Sequence, residues 1–425
     1  MNTIKKILFI IISIACAAPL RALPVRGLRN VGNSCFINAT LQCLSHLDGI
    51  TQNILSQKKD YYQPKSLAVR YQKFLMEFNN EYSIDSKRAE KHLRKFCSQS
   101  WETLGVRKYS QQDAAELIDV FFNHVADYDI QEAVKDTLSF YPGTYQPQTA
   151  LSDLFFSCAN STLIPLGLFS APSIKTEPVS MLTLPFISKA TTLEDCLTAH
   201  FMPTKLTGKE KVHYLPRIRI DALKRLALKH TSRYLVIRLN RNRFTIEPDK
   251  KLNKVNFVFT KLSEPISFPL INLDLSAYFD LGCEQENCNY KLVSFIVHVG
   301  NSALSGHYTA YVKKDNKWYY CDDESIVKIT DDHIQKIAQR GYAIDPLHLL
   351  SPKQYAQEDI KNSKRQTPVL FFYEKEPILI DTLQATQPAD STLDQEQSEK
   401  SGMPTSTDIQ KVSLKNMNML KQKFQ

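Results

Sequence analysis

The chain has 425 residues, 43% of them hydrophobic, with a formal net charge of +9. That apolar content supports a sizeable buried core, in one large domain or two. The charge is modest for this length and no dense Lys/Arg stripe carries interleaved aromatics, so nucleic-acid binding is not called for and the basic balance reads as solvated surface.

Lys5 and Lys6 precede an apolar run from Ile7 to Ala18, broken only by Ser13. Twelve residues are too few for a membrane span and suit the core of a signal peptide. Ala15-Cys16-Ala17 offers a small-residue cleavage site, so residues 1–17 are expected to be a signal peptide that leaves no stable membrane span after cleavage. An uncleaved anchor is one alternative, and a lipoprotein-type cleavage at Ser13-Ile14-Ala15-Cys16, which Ser13 fits poorly, is another.

Nine cysteines stand at 16, 35, 43, 97, 158, 196, 283, 288 and 321, with no Cys-x-x-Cys among them. This is not the dense pattern of a disulfide framework. An exported thiol enzyme would risk oxidation, which a final destination in a reducing cytosol resolves.

Gly27-Leu28-Arg29-Asn30-Val31-Gly32-Asn33-Ser34-Cys35 reads as a glycine-containing turn running into a helix, with Asn33 and Ser34 as N-cap residues. From Phe36 on, Ile37, Leu41, Leu44 and Leu47 recur at helical spacing, and the helix is expected to end near Asp48-Gly49. Cys35 then sits at a helix N-terminus, where the dipole and unpaired amides favour a thiolate. The bland alternative is a small buried cysteine.

Further helices are expected over 66–79, around 90–97, and from about Tyr109 to Val125 with Ser110 as N-cap. Asp113 and Glu116 share a face of the last of these. Residues 150–270 read as β-rich, with a short helix from Leu193 to Phe201 and a strand from Arg233 to Leu239. The basic stretch from Arg217 to Lys229 reads as a solvated face. Tyr290 to Val299 alternates as a strand, Tyr308–Val312 and Lys317–Cys321 adjoin around an Asp315-Asn316 turn, and Gln366 to Lys375 reads as a last strand. A helical stretch lies near Asp331 to Arg340. Residues 376–425 are polar and read as a disordered tail.

Three stretches resemble the motifs of the ubiquitin-specific proteases, which are papain-like deubiquitinases. Gly27 to Gln42 resembles the cysteine box, with Ser34 and Phe36 in place of the usual Thr and Tyr. Gln111-Gln112-Asp113-Ala114-Ala115-Glu116 resembles the Gln-Gln-Asp-x-x-Glu motif. Gly306-His307-Tyr308-Thr309-Ala310-Tyr311, followed by Trp318-Tyr319-Tyr320-Cys321-Asp322-Asp323, resembles the histidine box, with Cys321 in place of Phe.

The resemblance covers about Arg26 to Lys375. It implies an α+β papain-like fold: a helical lobe bearing Cys35, a β-rich lobe bearing His307 and Asp322, a sheet extension over 150–270, and an active site in the cleft between the lobes. It implies Cys35 as nucleophile, His307 as general base, Asp322 as its orienting acid and Asn30 as oxyanion donor. His298 is the rival histidine and Asp323 the rival acid. Asp113 and Glu116 would bind the arginine-bearing tail of ubiquitin. Many family members hold zinc through two Cys-x-x-Cys pairs; Cys158 and Cys196 stand alone and Cys283/Cys288 form a single pair, so no metal or other cofactor is expected. Two other classes stay open: an enzyme acting on a ubiquitin-like modifier, and a ubiquitin-binding module without turnover. A signal-like start on such an enzyme points to export, with action in a host cytosol.

Overall fold

The computed structural model describes residues 25–57, 65–78, 86–136, 152–166, 171–215, 218–249, 254–280, 287–343, 346 and 366–377. The signal-peptide region, Cys16, Arg217, Cys283 and the tail beyond 377 lie outside them, as does most of the connection from 344 to 365.

Chain contacts divide the molecule into two compact units. Of the described residues, the larger gathers those up to 159, 176–201 and 227–376; the smaller gathers those of 160–175 and 202–226. In the smaller unit Thr204–Leu206 pairs antiparallel with residues 222–224, and Val212–Leu215 pairs with Ile218–Ile220.

The larger unit is built on helices packed against one sheet. The helices are α1 (Cys35–Ser45), α2 (Asp48–Ser56), α3 (Leu67–Phe78), α4 (Ser86–Thr103), α5 (Ala114–Asp136), α6 (Ser152–Phe155), α7 (Leu193–Phe201) and α8 (Asp331–Arg340). The strands of the main sheet, numbered within it, are β1 (Leu182–Pro185), β2 (Tyr234–Asn240), β3 (Leu273–Asp274), β4 (Asn289–Val299), β5 (His307–Lys314), β6 (Lys317–Asp322), β7 (Ser325–Ile329) and β8 (Gln366–Lys375). They lie in the order β7-β6-β5-β4-β8-β2-β1, with β3 on β4. All pairs are antiparallel except β1 with β2. A separate hairpin pairs Asn242–Asp249 with Lys254–Lys261.

Helix α1 is buried along its whole length and packs across β5 and β4. Its apolar side chains join the sheet's: Phe36, Ile37, Leu41 and Leu44 share one core with Val236, Ile296, Ala310 and Val312. The cysteine is thereby held by a wholly buried helix against the main sheet.

Several boundaries differ from those read in the sequence. A second helix, α2, begins at Asp48 directly after α1, so Asp48-Gly49 opens a helix instead of closing one. Helix α4 runs well beyond residues 90–97 in both directions. Helix α5 starts at Ala114, not Tyr109, because Tyr109 takes a left-handed φ of 65° and Asp113 caps the helix, its Oδ1 accepting from the Ala115 N–H at 2.8 Å. Within 150–270, Leu182–Pro185 and Tyr234–Asn240 belong to the main sheet and not to an extension. Asp315 and Asn316 both adopt positive φ, as a two-residue hairpin turn requires. Helix α8 carries a Thr330 cap and a left-handed Gly341 at its C-terminus.

Candidate active site

Cys35 stands at the first position of α1, 4% exposed and unbridged. The turn before it is held by side chains of its own motif. Asn30 Oδ1 accepts from the Gly32 and Ser34 N–H groups at 3.0 and 3.2 Å. Gly32 has φ +102° and Asn33 φ +50°, and the Asn33 amide donates to the Tyr109 carbonyl at 2.7 Å. The Ser34 hydroxyl does not cap α1; it accepts from the Val31 N–H at 2.9 Å and tightens the turn instead.

His307 and Asp322 come from adjacent strands. Ala310 pairs with Cys321, which leaves His307 at the start of β5 close to Asp322 at the end of β6. The His307 Nε2 lies 2.6 Å from Asp322 Oδ1. The same ring also hydrogen-bonds the Cys35 side chain, and Nδ1 is the nitrogen left for it. The bond to Asp322, then that to Cys35, pushes His307 up to about 10 against the desolvation of its ring. Cys35, His307 and Asp322 therefore form a continuous line of contacts across the helix–sheet junction.

His298, the rival histidine, sits near the end of β4, paired in register with Tyr308. It is 6% exposed, and burial, Lys261 and His307 push it down to about 3. Among the described residues, the charges that act on it are both cationic. Its ring occupies the space where a side chain on Gly306 would go: a Cβ there would lie 2.3 Å from His298 Nε2 and 2.6 Å from the Val299 carbonyl oxygen. Gly306 is thus required by close approach, one residue before His307.

Strand β6 ends at Asp322, and Asp323 turns away with φ +46°. Alternation along a strand would leave only one acid near the histidine, yet His307, Asp322 and Asp323 each place a polar atom within 4.8 Å of the others. The turn, not the strand, brings Asp323 back. Its carboxylate accepts from Asn30 Nδ2 and from Asn38 Nδ2, each at 2.8 Å, and its carbonyl accepts from the Leu28 N–H at 2.7 Å. Asp323 thereby ties the sheet to the cysteine turn. Asn30 gives one of its two amide hydrogens to this contact; the amide carries a second.

The roles of Asn38 and Gln42 were not read from the sequence. Both are buried, and they hold the segment before the turn: Asn38 Nδ2 donates to the Leu28 carbonyl at 3.1 Å, Gln42 Nε2 to the Arg26 carbonyl at 2.6 Å. Their signal was present as two amide residues, four apart, on a helix that otherwise carries only apolar or small side chains.

A cleft of about 370 Å³ opens beside Cys35. It is lined by Gln111, Gln112, Asp113 and Glu116, by Arg238 and Asn240 at the end of β2, by Asn242, Phe244 and Phe259 of the hairpin, and by His298, residues 303–306 and Tyr308. Both acids of the second motif reach it. They are not equivalent: Asp113 Oδ2 receives the Arg238 guanidinium at 2.6 Å, whereas Glu116, exposed as a whole, is raised from its ordinary value by partial desolvation of its carboxyl and then by Asp113, against the pull of Arg238. Cys158 and Cys196 are each buried in their own elements. Among the described residues, the group of three His, Cys, Asp or Glu side chains that lies close enough to share an ion is His307, Asp322 and Asp323. No helix among the described residues is long and apolar enough to cross a membrane.

Residues 26–373 match the family described as Ubiquitin carboxyl-terminal hydrolase. Ubiquitin carboxyl-terminal hydrolase 16 of Arabidopsis thaliana is 29% identical over 324 residues, 74% of this chain and 29% of that protein. Usp2 of Drosophila melanogaster is 26% identical over 339 residues, 72% of this chain and 33% of that protein. Ubiquitin carboxyl-terminal hydrolase 12 of Salmo salar is 26% identical over 333 residues, covering 73% and 83%. The chain thus spans a third or less of the first two relatives. Among solved structures it is similar to the SAGA Ubp8/Sgf11/Sus1/Sgf73 DUB module bound to ubiquitin aldehyde, with TM-score 0.58, 19% identity and coverage of 85% of this chain and 71% of that one. The same module bound to monoubiquitin gives TM-score 0.61 at 20% identity, covering 89% and 76%. At such identities the structural likeness carries the fold, α+β and papain-like. With the family matched over 26–373, this chain belongs to the ubiquitin carboxyl-terminal hydrolases, among the ubiquitin-specific proteases that its three motifs resemble.

Proposed function

We propose that this protein is a cysteine-type deubiquitinase that hydrolyses isopeptide or peptide bonds after the C-terminal glycine of ubiquitin. The observation that carries the reading is His307, bound through Nε2 to Asp322 at 2.6 Å and to the Cys35 side chain, at the edge of a cleft. An imidazolium beside a thiol at a helix start favours the thiolate. In the first step the Cys35 sulfur attacks the carbonyl carbon of the terminal glycine and the carbonyl electrons move to oxygen. The Cys35 N–H and the second Asn30 amide hydrogen would stabilise that oxyanion. His307 gives its proton to the departing amine and the C–N bond breaks, leaving a thioester. His307 then takes a proton from water, the hydroxide attacks, and the sulfur leaves. Asp322 holds the ring in the tautomer that both steps need.

The test is reaction of the mature protein with ubiquitin carrying a C-terminal thiol-reactive warhead. A single covalent adduct at Cys35, lost in Cys35→Ala while ubiquitin binding persists, is the expected result. An adduct that survives in Cys35→Ala overturns the assignment.

One observation favours a second substrate reading. Asp113 is already paired with Arg238, so Glu116 is the acid left for a tail arginine. A ubiquitin-like modifier with fewer tail arginines would suit that arrangement. Comparing hydrolysis of tail-fluorogenic ubiquitin with that of other modifiers separates the two. A binding module without turnover is disfavoured because Cys35, His307 and Asp322 are all present.

We further propose that the protein is exported and acts in a host cytosol, on the strength of Lys5, Lys6 and the apolar run that follows. Full-length protein retained in the producing cell, with residues 1–17 intact, would reject this.

A further inference from the structure

The hairpin lines the cleft through Asn242, Phe244 and Phe259, and the segment between β4 and β5 lines it through Ala303, Leu304 and Gly306. One side chain joins these two walls. Lys261 is the last residue of the hairpin, paired in register with Asn242. It is 8% exposed, and its Nζ donates to the carbonyls of His298 and Gly300 at 3.0 and 2.7 Å. Those two carbonyls stand where β4 ends and the 300–306 segment begins.

Lysine is among the residues least often fully buried, and burying a charge is costly unless it is well hydrogen-bonded. Packing alone would be met better by an apolar side chain. The cost here is real: burial and the neighbouring Arg241 pull Lys261 down to about 7. The segment it holds doubles back on itself. Gly300 has φ +145°, and a Cβ built on it would lie 3.2 Å from the Gly306 Cα. An anchor at the base of such a closed segment also fixes its far end. The Gln111 amide meets that end, donating to the Gly306 carbonyl at 3.3 Å.

We propose that Lys261 is a positioning residue that ties the hairpin to the 300–306 segment and so sets the width of the substrate cleft. His307 is fixed separately by Asp322, so loosening the tie opens the cleft without dismantling the Cys35–His307 pair. The proposal rests on the deubiquitinase reading only for the choice of substrate.

The test compares the full chain with Lys261→Met, which keeps the length of the side chain and removes its donors. Three readouts are taken: hydrogen exchange of the amides of 300–306, KM and kcat on tail-fluorogenic ubiquitin, and the pH profile of Cys35 alkylation by iodoacetamide. Exchange of 300–306 should quicken by about tenfold or more while β4 and β8 stay protected, and KM should rise by about tenfold with kcat within about twofold. The alkylation profile should not move. Exchange of 300–306 equal to that of the wild type overturns the proposal, as does a loss of kcat with a shifted alkylation profile, which would mark general disruption. If Lys261→Met does not fold, Lys261→Gln, which keeps one donor site, is read by the same criteria. A wild-type chain that turns over no ubiquitin substrate overturns the deubiquitinase reading alone, and the exchange of 300–306 then decides the tie.

Discussion

The end of β4 and the start of β5 each carry a histidine, and the two are driven in opposite directions. His298 and His307 flank the same short segment, and both lose solvation. Burial, Lys261 and His307 itself push His298 down to about 3, while Asp322 and Cys35 push His307 up to about 10. The difference is the company each ring keeps: a carboxylate at 2.6 Å for His307, an ammonium and an imidazolium for His298. Two like residues at the two ends of one short segment become a cationic ring and a neutral, buried one. The chemical role follows from where the strand register places a carboxylate, not from the residue type.

The largest expected effects come from the raised histidine and the acid that holds it. His307→Ala or Asp322→Ala should lower kcat by about a thousandfold or more, as expected when a triad member is lost. His298→Asn should lower it by about tenfold or less. Steady-state turnover of a fluorogenic substrate checks both, and a His298→Asn loss as deep as that of His307→Ala would remove the contrast. Asp323→Ala belongs below Asp322→Ala, because its carboxylate holds Asn30 and Asn38 and does not bond the ring. It should still cost more than a surface acid, and its loss should come with a lower thermal midpoint, since the cysteine turn loses its tie to the sheet.

The next effect tests the packing partner. Gly306→Ala would place a methyl 2.3 Å from His298 Nε2 and 2.6 Å from a backbone carbonyl that cannot yield. Overpacking of this kind costs about 1–3 kcal/mol, read as a lowered denaturant midpoint. Pairing it with His298→Ala should recover part of that loss, because one of the two clashes is removed. No recovery would mean that the Val299 carbonyl alone sets the requirement for glycine.

A smaller effect extends the comparison to the two acids of α5. Asp113→Asn keeps an oxygen to cap α5 but removes the charge that pairs with Arg238, so it should lower stability by about 1 kcal/mol. Glu116→Gln should leave stability nearly unchanged and raise KM for ubiquitin a few-fold, about fivefold, through the lost tail contact. If Asp113→Asn instead changes KM with no loss of stability, the roles of the two acids are reversed.

Much of this was legible in the sequence, and the reasons differ by element. The strand from Asn289 to Val299, the last strand and helix α8 carry strong periodicity with clear caps or turns, and they fall where the residues place them. Cys35 and His307 stand inside long motifs, and the fold brings them together. The start of α5 was misread because Ser110 and Asp113 are both good cap residues, and only the left-handed Tyr109 decides between them. The work of Asp323 was hidden because it depends on a turn that sends its carboxylate to residues nearly three hundred positions earlier, a relation that no local pattern encodes. Lys261 was hidden for the same reason: a buried lysine cannot be told from a solvated one until its acceptors are placed.

The smallest expected effect is the one that states the comparison most directly. A histidine raised in the folded state contributes stability that is complete below its ordinary value of 6.5 and is lost as pH climbs towards about 10. A histidine lowered in the folded state contributes stability that is present above 6.5 and is lost as pH falls towards about 3. His307 therefore gives stability a falling slope on the alkaline side, because the folded state holds the extra proton. His298 gives it a rising slope on the acid side, because the unfolded state takes up a proton that the folded state refuses. The thermal midpoint of Asp322→Ala should be flatter than that of the wild type between pH 6.5 and pH 10, and His298→Asn flatter between pH 6.5 and pH 3.5. Each difference should be on the order of 1–2 °C, since His307 is partly exposed and its ion pair is screened, and since a large domain moves little per unit of free energy. Carboxylates titrate in the acid window as well, so the decisive quantity there is the difference between His298→Asn and the wild type, not either slope alone. Parallel acid limbs would mean that His298 takes up its proton without unfolding, and the opposition between the two histidines would then be a matter of geometry and not of charge.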